Sequence, residues 1–258
     1  MNYWHERTLK AQEEIMKRTI EEIEEQTRKY YEAAAHNTVG GFLYTYNKIM
    51  NTQNKGNAPT PADLYRLDTY WKQQAQIQHE LQRLGDKQTE LYLKKFRQCY
   101  FNIYNSIALK DDTHFQSISN EIVEHMITMI WCADGKSWSD RIWSNTSQLQ
   151  EALNEGLIEC LLNGRSPRDL RERLMYDFNV SWSKADSLVR TEIAHIQTQA
   201  TKHRYEDSGI KEVYVWADKD ERRCDICGKL HEKRFLITDK MPVPAHPRCR
   251  CRILPVIE

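Results

Sequence analysis

Four of the chain's seven cysteines fall between positions 224 and 251, in two close pairs. Cys224 and Cys227 form a C-x-x-C, and nineteen residues beyond Cys227 comes His246, followed by Cys249 and Cys251 as H-P-x-C-x-C. One C-x-x-C turn presents two thiolates at one point, and a second pair closes a tetrahedral metal site. Zn–S bonds of about 2.3 Å and Zn–N bonds of about 2.0–2.1 Å demand that convergence. Gly228 suits a tight turn after Cys227. Pro242, Pro244 and Pro247 stiffen the segment that brings His246 back. The expected cofactor is one structural zinc ion held by four of five candidates: Cys224, Cys227, His246, Cys249 and Cys251. The first four are the favoured set. Cys251 is the main alternate, because alternate residues of an extended chain point to one side. His231 is a weaker candidate. Donors in surplus of four indicate a filled structural site over a catalytic one with an open position.

The competing reading of these cysteines is two disulfides in a secreted domain. Against it, Cys99, Cys132 and Cys160 stand singly in helical or apolar contexts, so the total is odd. No signal peptide is read at the start, so a reducing compartment is expected, where paired cysteines bind metal.

The chain carries 37 basic and 37 acidic residues among 258, so it has no electrostatic reason to coat nucleic acid. No apolar run approaches the roughly 18 residues of a membrane span. With 9 glycines and 7 prolines, most of the latter beyond residue 240, long helices are expected first and irregular structure last.

Periodicity places a first helix over 4–36, with a stripe of Met16, Ile20, Ile23, Thr27, Tyr30 and Ala34 and charged remaining faces. It either packs on its own domain or docks on a partner protein. Val39-Gly40-Gly41 is read as its break, before a short helical piece over 42–50 and a polar loop over 51–63. Thr60-Pro61 then caps a helix running to Gly85, with Leu64, Leu67, Trp71, Ile77, Leu81 and Leu84 apolar. An aromatic stripe of Tyr92, Phe96, Tyr100, Phe101 and Tyr104 marks a core helix from Thr89 to about Leu109. A further helix is expected over 115–131, from Phe115 to Ile130. Trp138 and Trp143 read as core anchors, Asn145-Thr146 as a cap, and Ser166-Pro167-Arg168-Asp169 as the start of a short helix ending near Asn179. The helix 183–208 carries Arg190-Thr191-Glu192, read as pairing with the β module C-terminal to it. Strands are expected at 211–217, 235–238 and 250–256. The fold class is therefore mainly α-helical with a small C-terminal metal-stapled antiparallel β module (α+β). From Ile210 onward there are too few apolar side chains for an independent core, so metal binding supplies the missing stability.

Several segments then fall into a known order. Asp220, Arg222, Cys224 and Cys227 make D-x-R-x-C-x-x-C, and H-P-x-C-R-C comes near the chain end. SWSDRIWSNTSQL at 137–149, LVRTEIAHIQTQA at 188–200 and YEDSGIKEVYVWADKDERRCDICGKLH at 205–231 extend the pattern upstream. Together these resemble the phage head morphogenesis family, the minor head proteins similar to protein F of phage Mu, over residues 137–257. One departure is His231-Glu232, where the family has a small pair. Residues 1–131 read from their periodicity as a helical N-terminal region, and the resemblance implies a head morphogenesis domain over 132–258, which includes a zinc-binding β module at 210–258. It further implies a minor head protein of a tailed bacteriophage or prophage, acting in head assembly and/or DNA packaging and ejection near the portal. The implied partners are the portal and/or major capsid protein and packaged DNA, with no membrane and no small-molecule substrate. The implied location is the head interior of the virion, after assembly in the host cytoplasm.

An alternative function is a zinc-knuckle nucleic-acid-binding protein. From Lys211 to Glu258 there are eleven Lys/Arg against eight Asp/Glu, and Arg248, Arg250 and Arg252 alternate along the last strand, in reach of phosphate. No H-E-x-x-H, nucleophile motif or phosphate loop is present, so no enzymatic activity is expected.

Overall fold

The computed structural model describes residues 3–52, 60, 68–107 and 118–256. Its helices are α1 (Tyr3–Thr52), α2 (Asp68–Ser106), α3 (Asn120–Thr128), α4 (Trp138–Leu162), α5 (Pro167–Asp207) and a short α6 (Asp225–Leu230). Three short strands, β1 (Glu212–Trp216), β2 (Arg234–Leu236) and β3 (Arg252–Pro255), form an antiparallel sheet in the order β2-β1-β3. The expected α+β class with a small C-terminal sheet holds. Within the sheet, Val213 pairs with Phe235 on one side and Pro255 on the other, and Trp216 pairs with Arg252 at the end of the ladder. Residues 53–59 of the expected loop, Pro61, Leu64, Leu67 and Phe115 lie outside the described residues.

Two compact units are built from interleaved stretches of chain. One comprises Met1–Glu24, Leu91–Trp138 and Asp186–Glu258, and the other Glu25–Glu90 and Ser139–Ala185. The second is wholly helical. Its core takes Tyr31, Ala35, Phe42 and Ile49 from α1, Ile77, Leu81 and Leu84 from α2, Leu149, Leu153 and Leu157 from α4, and Leu170, Leu174 and Phe178 from α5. These follow the three-and-four spacing of amphipathic helices.

Burial explains why the helices run on through the expected breaks. Val39 and Phe42 are buried on either side of Gly40-Gly41, and Phe178, Ser181 and Ala185 are buried around Asn179. Glycine costs a helix about 1 kcal/mol relative to alanine, less than burying one large apolar side chain returns. Asn145 is not a cap. It lies inside α4, buried, and its Nδ2 donates to the Tyr31 hydroxyl at 3.1 Å and to the Ser181 carbonyl at 2.9 Å. Ser166 does cap α5: its Oγ accepts from the Asp169 amide at 3.2 Å while Asp169 Oδ2 accepts from the Ser166 amide at 3.0 Å.

In the sheet-bearing unit, Tyr92, Phe96, Tyr100 and Tyr104 are buried, as the aromatic stripe implied. Trp138 packs edge-on against Phe96 and donates to the Ile127 carbonyl at 2.8 Å. The core here is also polar: Gln12 donates to Thr201 Oγ1 at 2.9 Å and accepts from Gln197 at 3.1 Å. The N-terminal helix is thus part of the core rather than a free docking arm. Thr8, Leu9, Gln12, Thr19 and Ile23 are buried in this unit, and Tyr31, Ala34 and Ala35 in the other. Of the stripe read as packing on its own domain or docking on a partner, Ile23, Thr27 and Ala34 are buried and Met16, Ile20 and Tyr30 half-buried.

Gly85 sits inside α2 because Trp143 occupies the space a side chain would need. A Cβ there would stand 2.4 Å from the Trp143 ring, whereas one at Gly40 would meet nothing within 4 Å. Gly85→Ala is expected to lower the melting temperature, with an overpacking cost of about 1–3 kcal/mol exceeding the helical gain. Gly40→Ala should raise it, through a helix-propensity gain of about 1 kcal/mol. Thermal unfolding of the two variants side by side checks both signs.

Candidate metal centre

The candidate donors sit just beyond the last rung of the β1–β3 ladder. β1 ends at Trp216, and the chain turns through Asp218–Arg223 to Cys224, which caps α6. Cys224 Sγ accepts from the Cys227 amide at 3.4 Å, so one helical turn presents both sulfurs to one point. Gly228 lies in this helix and takes no left-handed conformation; its expected role as a turn glycine is corrected. The left-handed residue is Glu232, with φ 63°, whose amide donates to the Val215 carbonyl at 2.7 Å. That is the place of the small pair that His231-Glu232 replaces. His231 is half-buried and belongs to neither group of donors: its Nδ1 accepts from the Ala217 amide at 3.2 Å and its ring meets Trp216 edge-on.

His246 returns on the proline-stiffened loop. Its Nδ1 lies 2.8 Å from the Pro247 carbonyl, which can only accept, so Nδ1 carries the proton and Nε2 keeps a free lone pair. That Nε2 stands 3.3 Å from Cys224 Sγ and 3.1 Å from Cys227 Sγ. Cys227 Sγ lies 3.8 Å from Cys249 Sγ. Two donor triads result, Cys224–Cys227–His246 and Cys227–Cys249–Cys251, each with its ligand atoms within 4.8 Å of one another. Cys227 belongs to both.

The donor set fits a metal ion. A tetrahedron with bonds of about 2.3 Å to sulfur has S–S edges of about 3.8 Å, and with an imidazole nitrogen S–N edges of about 3.5 Å. The S–S distance meets this, and the N–S distances are a few tenths of an ångström short. All seven cysteines are free thiols, so the disulfide pairing is not formed. Their proton affinities are split. Cys249 is drawn down to about 5, first by the hydrogen bond from Cys251, and Cys224 is drawn down by the Cys227 amide. Cys227 is pushed up to about 12 by burial, and Cys251 upward by its bond to Cys249. A crowd of thiols that cannot all ionise together is what a divalent cation relieves.

The three arginines interleaved with these cysteines do not form an exposed phosphate-binding row. Only Arg252 lies in β3, and it is 7% exposed. It donates to the Leu9 carbonyl at 3.0 Å and to Asp218 at 3.1 Å. Arg250 grips Asp220 with two hydrogen bonds, of 2.8 and 2.6 Å. Arg248, left-handed at φ 59°, reaches Asp186 at 2.6 Å, and its amide donates to Thr191 Oγ1 at 3.1 Å. Sequence reasoning missed Asp186 and Asp218 as partners, whereas Thr191 and Asp220 stood in segments already singled out.

On α5, Arg190 serves one set of partners, while Glu192 and His195 both meet Trp131. Arg190 pairs with Asp186 at 3.0 Å and with Glu24. Glu192 accepts from Trp131 Nε1 at 3.0 Å, and the His195 ring stacks on Trp131 at 4.3 Å. Burial lowers the His195 imidazole to about 4, so it is neutral. Thr191, through Arg248, makes the expected link to the C-terminal β module.

Residues 149–254 match the family model described as Phage Mu protein F like protein. The matched stretch includes every candidate donor, so the likeness to that family covers the whole donor set. It starts later than the motif pattern, which began at Ser137. No curated protein and no solved structure matches the chain. No helix of the described residues is long and apolar enough to cross a membrane.

Cys224→Ser should expose the segment beyond residue 210 to proteolysis, because it removes a donor next to Cys227. Cys160→Ser should leave that segment protected, since Cys160 is 2% exposed in the helical core and reports only on packing there. Limited proteolysis with mass-mapped cut sites distinguishes them.

Proposed function

We propose that this protein is a minor head component of a tailed phage or prophage, acting in head assembly and/or in DNA packaging and ejection near the portal. The match over residues 149–254 carries this reading. Its partners are then the portal and/or major capsid protein, and its place is the interior of the phage head, reached from the host cytoplasm. The role is structural rather than enzymatic. The ion is zinc: thiolate and imidazole donors at tetrahedral spacing suit it, and a set with more donors than places leaves no open position for substrate. Bound there, zinc joins the segments around Cys224–Cys227 and His246–Cys251, supplying stability that a short three-stranded sheet lacks.

Contact with packaged DNA is weak on this reading. The chain is formally neutral, and Arg248, Arg250 and Arg252 are each engaged by a carboxylate of the same chain. The zinc-knuckle alternative needs those guanidiniums free.

Purified protein is expected to contain one zinc ion per chain by elemental analysis, and a few copies per particle by mass spectrometry of gradient-purified virions. Metal-free protein would remove the zinc assignment. Absence from virions would remove the head-component reading, and tight, salt-resistant DNA binding by the full chain would favour the nucleic-acid alternative.

A further inference from the structure

Arg248, Arg250 and Arg252 alternate with Cys249 and Cys251, yet each is engaged by a different part of the chain. Arg248 is tied to α5 through Asp186 and Thr191. Arg252 is tied to Asp218 and to the Leu9 carbonyl of α1. Arg250 lies between the two cysteines of the second pair, and its partner Asp220 lies four residues before Cys224 of the first. Asp220 is itself set by its own turn, its Oδ1 accepting from the Arg222 amide at 3.0 Å. The Arg250–Asp220 fork therefore joins the two halves of the donor set directly.

We propose that these three arginines are positioning residues for the metal centre, and that the Arg250–Asp220 pair fixes the second cysteine pair against the first. The inference rests on the metal-centre reading of the cysteine cluster. The pair's side chains are 42% and 44% exposed, so its contribution to global stability is small. Its content is geometric. A guanidinium donating two parallel hydrogen bonds to one carboxylate sets both distance and orientation, which a lysine ammonium at the same place cannot. Cys249 and Cys251 are left in register with Cys227, the sulfur that both triads share. Arg248 and Arg252 hold the ends of the same short segment, so the three tethers act on five consecutive residues.

The test uses the full chain loaded with zinc, and separately with cobalt(II), in wild type, Arg250→Lys, Asp220→Asn and the reversed pair Arg250→Asp/Asp220→Arg. Arg168→Ala, which breaks an exposed ion pair in the helical unit, is the control. Metal affinity by chelator competition should fall about ten- to a hundred-fold in Arg250→Lys and Asp220→Asn, the range for outer-shell partners of metal ligands. The reversed pair should recover part of it, and the control should bind as wild type does. The cobalt ligand-field bands should shift in both single variants, while helical circular dichroism and melting temperature of the metal-free proteins stay at wild-type values. Wild-type protein that binds neither metal overturns the metal reading and this inference with it. Wild-type protein that binds metal, with affinity and cobalt spectra unchanged in both single variants, overturns the positioning role alone.

Discussion

Cys227 is the point on which the C-terminal module turns. Its sulfur belongs to both donor triads, it is 5% exposed, and its amide donates to the sulfur of Cys224. The sheet delivers partners to it by register. Trp216 pairs with Arg252, so the residue just before that rung is Cys251, and the chain leaving β1 at the same end turns through Asp218–Arg223 to Cys224. A one-residue slip in this ladder would turn the alternating side chains of β3 to the opposite face. The donor geometry and the β1–β3 register are thus one constraint. An ion at this position would hold the register, and the register preassembles the ion's ligands.

The arginines show how a local pattern misleads when its partners are distant. Three cations at alternate positions read as a phosphate-facing strand, because nothing nearby in sequence offers them acids. Their acceptors lie 34 positions away for Arg252, 30 for Arg250 and 62 for Arg248. An arginine paired within its own fold has already exchanged water for a carboxylate, and a phosphate must displace that carboxylate before binding. The basic excess of the module is real in composition, but these three positions contribute little free charge to it.

The metal donors were legible in the sequence because ligand spacing is a local property: C-x-x-C and H-P-x-C-x-C need only a turn each. Which four of the five would bind an ion was not legible, since Cys249 and Cys251 both reach Cys227 once folded. The helices were legible in type and core face, as Tyr92, Phe96 and Tyr100 show. Their ends were not. Gly85 and Gly40-Gly41 read as breaks, yet one makes room for Trp143 and the others lie beside buried Val39 and Phe42. Asn145 read as a cap, yet its Nδ2 donates to a tyrosine 114 positions earlier and a serine carbonyl 36 positions later. In each case a tertiary contact overrode a local preference, and the contact is invisible until the chain is folded.

The same logic revises the first helix. A stripe with thirty-odd residues of charged flank looks like an arm for a partner, since an isolated helix of that length needs something to cover it. The chain covers it internally. Leu9 gives its carbonyl to Arg252, the Tyr214 hydroxyl meets His5 Nδ1 at 3.0 Å, and Gln12 joins Thr201 and Gln197 in the core. The first turns of the protein therefore brace the strand that carries Cys251 into β3, across 243 positions of sequence. This makes the metal module something other than an appended knuckle. Its central strand and its last strand both lean on α1, so the ligand segment is held by the N-terminal helix at one end and by α5 at the other. A helix committed in this way cannot also give its buried residues to a capsid surface; any contact it makes there must come from its charged, outward face.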